Sequence, residues 1–315
     1  MKFRNIKGTD LRSSLIGYGT WGLAGNVYGK ISLKESNYLL DYAIDRKINF
    51  FDTSSLYGDG YVEEILGKKF KEMNNVIIAT KIGMIKNNKN IFVPQFDFGI
   101  KNLESHLNNS LKRLRRDRID IMQLHSPTFN FIKSKKFIKV IDFLKKKQRN
   151  GKIRYYGISV QSPADAKFIL EHFNDFKIIQ FNLSLLDMRA YDLDLFKLAE
   201  KKNISLVART PLAMGFLSGK KNVIKKNYDH RKRFQPEIVN KWKLASLKFK
   251  NQFKSQITLP ELAIKFSCYD KTVCSTISGM MSKKEIDINT NAIKNNFSIG
   301  QNLKKIKNIY NELFL

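Results

Sequence analysis

The chain has 315 residues, of which 43% are hydrophobic, and this is enough apolar material for a large core. The formal net charge is +29, but the basic residues are spread along the chain without a recognisable nucleic-acid-binding motif, so we expect no nucleic-acid partner. The four histidines and the two cysteines, Cys268 and Cys274, are too scattered for a metal-ligand motif, and we expect no metal.

The sequence also carries no feature of a secreted or membrane-spanning protein. The opening segment MKFRNIKGTD lacks the apolar stretch of a secretory signal. No apolar run approaches the roughly 20 residues that a helix needs to cross a bilayer. Two cysteines cannot form a disulfide framework, which is typical of small secreted domains. We therefore expect a cytoplasmic protein that does not enter the membrane.

Short apolar runs, rich in β-branched and aromatic residues, predict buried strands. In chain order they cover residues 14–20, 49–53, 75–83, 119–125, 153–160, 177–183, 204–210 and 272–279. Ahead of the first run, residues 1–14 predict a β-hairpin with Gly8 in its turn. Behind the seventh run, residues 215–257 form a long insertion in which we predict a helix near Glu237 to Phe249.

Longer segments with helical spacing separate the predicted strands. The first of them begins with Ser32 and Glu35, which predict a capping box, and has one apolar face over residues 39–44. Eight strands, each followed by at least one helix, predict an α/β fold that closes into a (β/α)8 barrel. No GxGxxG motif opens a helix after an early strand, which argues against a Rossmann domain. We find no linker and no internal repeat, so we predict a single domain over residues 1–315.

Four polar residues fall at comparable places in this pattern. Asp52 ends the second strand, and Tyr57 follows it in a turn that contains glycine. We expect Lys81 to end the third strand and His125 to end the fourth. Each residue alone has an ordinary explanation as a turn, solvated or packed residue. Because the carboxyl ends of parallel barrel strands meet at one mouth, we expect the four side chains to converge there.

Nearly the whole chain resembles the aldo-keto reductase family. The resemblance is carried by IGYGTW (16–21), FFDTSSLYG (50–58), ATK (79–81), LHSP (124–127), GIS (157–159), TPLAMGFLSGK (210–220) and ISGMMSKKEIDIN (277–289). In that family an Asp–Tyr–Lys–His tetrad is catalytic. The resemblance implies the same roles for Asp52, Tyr57, Lys81 and His125, which we call the tetrad.

The chemistry of these residue types agrees with that implication. Reduction of a carbonyl requires a hydride on carbon and a proton on oxygen. Tyr57 can give the proton, and we expect the Lys81 ammonium to lower its pKa from the ordinary value near 10. Asp52 can hold the ammonium in place, and His125 can hydrogen-bond the carbonyl oxygen. Protein side chains do not supply hydride, so a nicotinamide cofactor is implied.

The resemblance implies NADPH more often than NADH, bound across the barrel mouth. Ser159 and Gln180 match positions that hold the nicotinamide carboxamide, although Val160 replaces the Asn that usually follows that Ser. Arg209 stands where an aromatic residue often stacks on the ring, and Glu285 stands where an arginine would contact the 2′-phosphate. The other implied cofactor contacts are Thr20, Asp52, Leu217, Ser218, Gly219, Lys220, Gly279, Ser282 and Asn289.

The sequence therefore predicts an NAD(P)H-dependent oxidoreductase that acts on an aldehyde, ketone or sugar carbonyl. We expect Trp21 and Phe129 to wall the substrate pocket together with Tyr57 and His125. Arg209 and the basic loop 220–233 could attract an anionic substrate, but a solvated run of charge explains them as well. The alternative is a regulatory subunit that binds the cofactor with little turnover, because the family includes such subunits of potassium channels.

Overall fold

The computed structural model describes residues 1–25, 27–87, 95–220, 231 and 234–315. In chain order its strands are β1 (Phe3–Asn5), β2 (Arg12–Ser14), β3 (Ile16–Gly19), β4 (Phe50–Asp52), β5 (Ile77–Ile82), β6 (Met84–Ile85), β7 (Gln95–Phe96), β8 (Ile119–His125), β9 (Ile153–Ser159), β10 (Ile178–Asn182), β11 (Ser205–Arg209) and β12 (Val273–Gly279). Eight of these strands close into a barrel in the order β10-β11-β12-β3-β4-β5-β8-β9. Every neighbouring pair in the barrel is parallel, so the predicted (β/α)8 barrel is confirmed.

Helices surround this barrel. They are α1 (Leu33–Asp45), α2 (Tyr61–Phe70), α3 (Ile100–Leu114), α4 (Phe129–Ile132), α5 (Lys135–Arg149), α6 (Pro163–His172), α7 (Arg189–Asp192), α8 (Leu195–Lys201), α9 (Pro236–Phe253), α10 (Leu259–Ser267), α11 (Lys283–Ala292) and α12 (Ile299–Phe314). Two short 3-10 helices, Thr20–Ala24 and Ala213–Gly215, follow β3 and β11. The helix predicted in the long insertion is α9, while residues 221–230, 232 and 233 of the predicted basic loop lie outside the described residues.

A local sequence signal explains where helix α1 begins. The Ser32 side chain accepts a hydrogen bond from the N–H of Glu35, and the Glu35 carboxylate accepts one from the N–H of Ser32. This is the predicted capping box, and it satisfies two backbone donors that the first turn of α1 leaves free. Leu39, Leu40 and Ala43 then form the buried face of α1 against the barrel.

The N-terminal hairpin closes the amino end of the barrel. β1 and β2 pair in antiparallel fashion, and Gly8 in the turn has a φ of 67°, which suits glycine. Ile6 and Leu11, on either side of that turn, are buried against side chains at the amino ends of the barrel strands, such as Ile178. The Arg4 guanidinium donates a hydrogen bond of 2.6 Å to the carbonyl oxygen of Val273, where β12 begins. The opposite, carboxyl end of the barrel is therefore the end at which a site can open.

The described part of the chain contains no helix that is long and apolar enough to cross a membrane. Its core consists of a large shell of apolar residues between barrel and helices and a smaller cluster inside the barrel. That residues 1–315 form one domain stays a prediction.

Candidate active site

The structure brings the four tetrad residues together at the carboxyl end of the barrel. Asp52 is the last residue of β4 and His125 is the last residue of β8, while Lys81 is the penultimate residue of β5. These three strands are neighbours in the barrel. Tyr57 lies in the turn between β4 and α2, which carries its side chain back over the strand ends.

Lys81 and Asp52 form a buried ion pair. The Lys81 Nζ lies 2.6 Å from the Asp52 Oδ1 and also donates to the Thr53 carbonyl oxygen at 2.9 Å. The other Asp52 oxygen accepts hydrogen bonds from the Nε2 of Gln180 at 2.7 Å and of Gln123 at 3.3 Å. Charges can be buried when they are paired and hydrogen-bonded. This network therefore fixes the ammonium in one position.

The Lys81 ammonium lies 5.4 Å from the centroid of the Tyr57 ring. The pKa of Tyr57 is nevertheless raised above its ordinary value, because burial disfavours the phenolate more than Lys81 and Arg209 favour it. Lys81 lowers this pKa, as expected, but the desolvation outweighs its charge and the net shift is upward. At neutral pH, Tyr57 is a protonated phenol that can donate its proton.

His125 stands edge-on to Tyr57, with the ring centroids 6.2 Å apart. Its Nδ1 lies 3.0 Å from the hydroxyl oxygen of Ser54, in the turn after β4. Burial, followed by the positive charges of Lys81 and Arg209, lowers the pKa of His125 well below its ordinary value. The imidazole is therefore neutral at physiological pH, and it can donate a hydrogen bond without carrying a charge.

Of the two predicted pocket-wall residues that lie outside the tetrad, one is beside it. The ring of Trp21, in the 3-10 helix after β3, is 6.2 Å from the Tyr57 ring. Phe129, by contrast, is 41% exposed, and its ring packs edge-on against Phe168 of α6 at 5.2 Å. Among the described residues, no ring contact joins Phe129 to the tetrad.

Among the buried polar atoms that lack hydrogen-bond partners within the described residues, one lies at the end of β9 and another at the end of β11, beside the tetrad. They are Ser159 Oγ, at the end of β9, and Arg209 Nε, at the end of β11. Ser159 lies between His125 and Gln180 in the register of the barrel, so the three residues form one row across neighbouring strands. The Arg209 guanidinium also donates to the Val160 carbonyl oxygen at 2.8 Å. Unpaired buried polar atoms at a barrel mouth fit the polar groups of a ligand.

Apart from Thr20, which follows β3, the remaining predicted cofactor residues lie around two neighbouring loops, after β11 and after β12. Leu217 is buried, Gly219 has a φ of 75°, and the Ser218 hydroxyl donates to the Gly215 carbonyl oxygen. Lys220 Nζ lies 2.8 Å from Glu285 Oε1, and the other Glu285 oxygen accepts from the N–H of Met281. This ion pair joins the loop after β11 to the first turn of α11.

Three further predicted cofactor residues also have partners within the protein. Ser282 is the N-cap of α11 and accepts a hydrogen bond from the N–H of Glu285. The buried Asn289 donates to the Ser278 hydroxyl at 3.0 Å, and the buried Thr20 hydroxyl donates to the Asp52 carbonyl oxygen at 2.9 Å. Gly279 ends β12 and is exposed at the mouth of the barrel.

A family model for the aldo/keto reductase family matches residues 15–311. The chain belongs to the aldo/keto reductase family. It is 26% identical to the L-galactose dehydrogenase of Arabidopsis thaliana over 98% of this chain and 93% of that protein. It is also 26% identical to a probable voltage-gated potassium channel subunit beta of Oryza sativa subsp. japonica, over 93% of this chain and 91% of that protein.

Two solved structures are similar to this aldo-keto reductase over almost its full length. The holo form of aldo-keto reductase AKR11C1 from Bacillus halodurans has a TM-score of 0.80 and 26% identity, and covers 98% of this chain and 96% of its own. The glycerol dehydrogenase AKR11B4 from Gluconobacter oxydans has a TM-score of 0.80 and 25% identity, over 99% and 96%. The chain is thus an oxidoreductase with the barrel of its family, and aldo-keto reductases use nicotinamide cofactors.

Two residues that join the tetrad were not singled out in the sequence. Gln123 donates to Asp52, and its position two residues before His125 in a strand places both side chains on the same face. The two-residue spacing from His125 could therefore have indicated Gln123 from the sequence. Ser54 lies in a turn, where no periodicity indicates the direction of its hydroxyl.

In the described part of the chain, no group of three or more His, Cys, Asp or Glu residues could hold a metal ion.

Proposed function

We propose that this aldo-keto reductase reduces an aldehyde, ketone or sugar carbonyl to an alcohol, or catalyses the reverse oxidation. One observation carries the proposal: a protonated phenol, a buried ammonium–carboxylate pair and a neutral imidazole meet at the barrel mouth. These are the groups that carbonyl reduction requires of the protein.

Each tetrad residue has a distinct role in this proposal. Tyr57 donates its phenolic proton to the carbonyl oxygen, and the Lys81 ammonium stabilises the phenolate that remains. Asp52 holds the ammonium at 2.6 Å, and Gln180 and Gln123 hold Asp52. His125 donates a hydrogen bond to the same carbonyl oxygen and so orients it.

The residues around the tetrad would hold a nicotinamide cofactor, which supplies the hydride when bound. The unpaired Ser159 hydroxyl and the amide of Gln180 would bind its carboxamide. Segment 217–220 and the first turn of α11 would hold the phosphates, with Lys220 as the charged partner. We expect NADPH to bind with weak preference over NADH, because Glu285 would repel a 2′-phosphate that the surrounding positive charge attracts.

We further propose that the substrate is a sugar or another polyhydroxylated carbonyl compound. The support is that two proteins similar to almost the whole chain are named a galactose dehydrogenase and a glycerol dehydrogenase. Small-molecule carbonyl substrates are typical of the family. The cytoplasmic location and the lack of a nucleic-acid partner stay predictions.

A second candidate is a regulatory subunit that binds the cofactor with little turnover. The similarity to a probable potassium channel subunit beta over 93% of this chain favours it. The tetrad geometry favours the enzyme, because each member has the protonation state or charge partner that turnover needs.

A screen for cofactor oxidation separates these two functions. NADPH and NADH would each be supplied with aldehydes, ketones and aldose or ketose sugars, and the loss of reduced cofactor would be followed by absorbance. A Tyr57→Phe preparation, purified in the same way, measures contaminating reductase activity. Substrate-dependent oxidation well above that control supports the enzyme. If the cofactor binds tightly but no carbonyl compound is turned over, the enzyme proposal fails and the regulatory subunit is favoured.

A further inference from the structure

We propose that Ser54 is a positioning residue that fixes the tautomer of His125, so that the Nε2 of the imidazole carries the hydrogen and faces the substrate carbonyl. The inference rests on the reductase function proposed above, but the state of the imidazole can be measured without turnover. It assigns a role to a hydroxyl in the turn that also carries Tyr57.

The first step of the argument is the contact itself. The Ser54 Oγ lies 3.0 Å from the His125 Nδ1, and both residues are buried. Ser54 belongs to the turn that begins after Asp52, and the N–H of Tyr57 donates to the Ser54 carbonyl oxygen at 3.0 Å. The backbone that places the phenol is therefore the same backbone that places this hydroxyl.

The second step is the direction of the hydrogen bond. The N–H of Leu56 donates to the Ser54 Oγ at 3.2 Å, which uses a lone pair of the hydroxyl oxygen. Among the described residues, His125 is the remaining partner of that hydroxyl, so its hydrogen has one acceptor, the His125 Nδ1. If Nδ1 carried the hydrogen instead, the buried Ser54 O–H would lack an acceptor, which is unfavourable.

The third step is the consequence for the substrate. Burial and the charges of Lys81 and Arg209 keep His125 neutral, so the ring has one N–H. With Nδ1 as the acceptor, that single N–H is on Nε2, at the far side of the ring from Ser54. His125 then presents a donor, and a donor is what a carbonyl oxygen requires. The other tautomer would present a lone pair, which repels the carbonyl oxygen.

The neighbouring serine provides a matched control. The Ser55 hydroxyl belongs to the same turn but donates to the Lys81 carbonyl oxygen at 3.1 Å instead of contacting the imidazole. Ser54→Ala and Ser55→Ala thus remove the same chemical group from adjacent positions. Only Ser54→Ala should change the tautomer of His125.

The test is nitrogen NMR of the imidazoles in protein labelled with ¹⁵N-histidine, with the His125 signals assigned by their loss in His125→Gln. In the wild type, we expect a protonated Nε2 and an unprotonated Nδ1 at His125. In Ser54→Ala, we expect a mixture of both tautomers. We also expect kcat to fall by about tenfold, a fraction of the loss that follows when a donor is removed outright. KM should change less. Ser55→Ala should leave both the tautomer of His125 and kcat unchanged.

Two results would overturn the proposal. One is a wild-type His125 that carries its hydrogen on Nδ1, and this result can be obtained even if Ser54→Ala does not fold. The other is a folded Ser54→Ala protein with the wild-type tautomer. A wild type without turnover would contradict the proposed reductase function instead, while its imidazole signals still decide the tautomer.

Discussion

The carboxylate of Asp52 joins two sides of the barrel mouth, because it accepts from Lys81 of β5 at 2.6 Å and from Gln180 of β10 at 2.7 Å. The Lys81 side chain is only 2% exposed, so its charge is held close to the Tyr57 ring rather than in solvent. The pair thus connects the proton donor to the strand end where a carboxamide would bind. The residues of the tetrad around this pair offer separate tests of the proposed chemistry.

Tyr57→Phe removes the proton donor while leaving the ring in place. We expect kcat to fall by at least about 10²-fold, the low end of the range for general acid catalysis. Cofactor affinity, measured by fluorescence titration, should change little. Tyr61→Phe, a change at an exposed position at the start of α2, is the matched control and should keep wild-type kcat. Near-normal turnover in a folded Tyr57→Phe protein would remove Tyr57 from this role.

Lys81→Met removes the charge that favours the phenolate of Tyr57, so the pKa of Tyr57 should rise further. Alcohol oxidation needs the phenolate, and its kcat/KM therefore rises with pH until Tyr57 has ionised. We expect this rise to extend to higher pH in the variant than in the wild type. Superimposable pH profiles would show that the two groups are not coupled.

The same substitution leaves the Asp52 carboxylate buried without its partner. We expect the free energy of unfolding to fall by about 3–5 kcal/mol, the usual cost of breaking a buried ion pair. Lys86→Met breaks an exposed pair with Asp59 and should cost no more than about 1 kcal/mol. Urea unfolding of both variants measures the difference, and equal losses would argue that the Lys81–Asp52 pair is not buried.

His125 should make stability depend on pH. Its pKa is held well below the ordinary value near 6.5 that applies in the unfolded chain. As pH falls below about 6.5, His125 binds a proton in the unfolded state but stays unprotonated in the native state. The free energy of unfolding therefore falls. The loss reaches about 1.4 kcal/mol per pH unit for one such group.

Urea unfolding at several pH values measures this slope. In His125→Gln the slope between neutral and mildly acidic pH should be shallower than in the wild type. It should not vanish, because burial also lowers the pKa of His106. An unchanged slope in His125→Gln would mean that the pKa of His125 is not lowered in the native protein.

Glu285→Arg tests the choice of cofactor. The substitution removes a carboxylate that would repel the 2′-phosphate, adds a donor that can bind it, and releases Lys220 from its ion pair. A charge-assisted hydrogen bond of roughly 1.5–3 kcal/mol predicts a rise of about tenfold or more in the NADPH-to-NADH ratio of kcat/KM. Glu285→Gln, which removes the charge without adding a donor, should give a smaller rise.

The ratio would be measured in all three proteins with one carbonyl substrate. A wild type that already selects NADPH by about a thousandfold, on the order of 4 kcal/mol, would contradict this account. In that case Glu285 would not face the ribose, and another residue would bind the phosphate.

The sequence by itself determined the barrel and the positions of the tetrad along it. The predicted fourth barrel strand, residues 119–125, matches β8 residue for residue, and Asp52 and His125 end their strands as expected. The reason is that the local sequence determines the length and the burial of a strand, through a short apolar run between two turns. Once the strands are parallel, their carboxyl ends must meet at one edge, so the convergence of Asp52, Lys81 and His125 follows from the strands alone.

Only the tertiary structure decided which atoms pair and how deeply they are buried. The Ser54–His125 contact, the bonds of Gln123 and Gln180 to Asp52, and the placement of Phe129 against α6 join segments that are distant in sequence. The pKa of Tyr57 shows the physical reason. A neighbouring lysine could be inferred from sequence, but the desolvation that outweighs it is a property of all the atoms packed around the phenol.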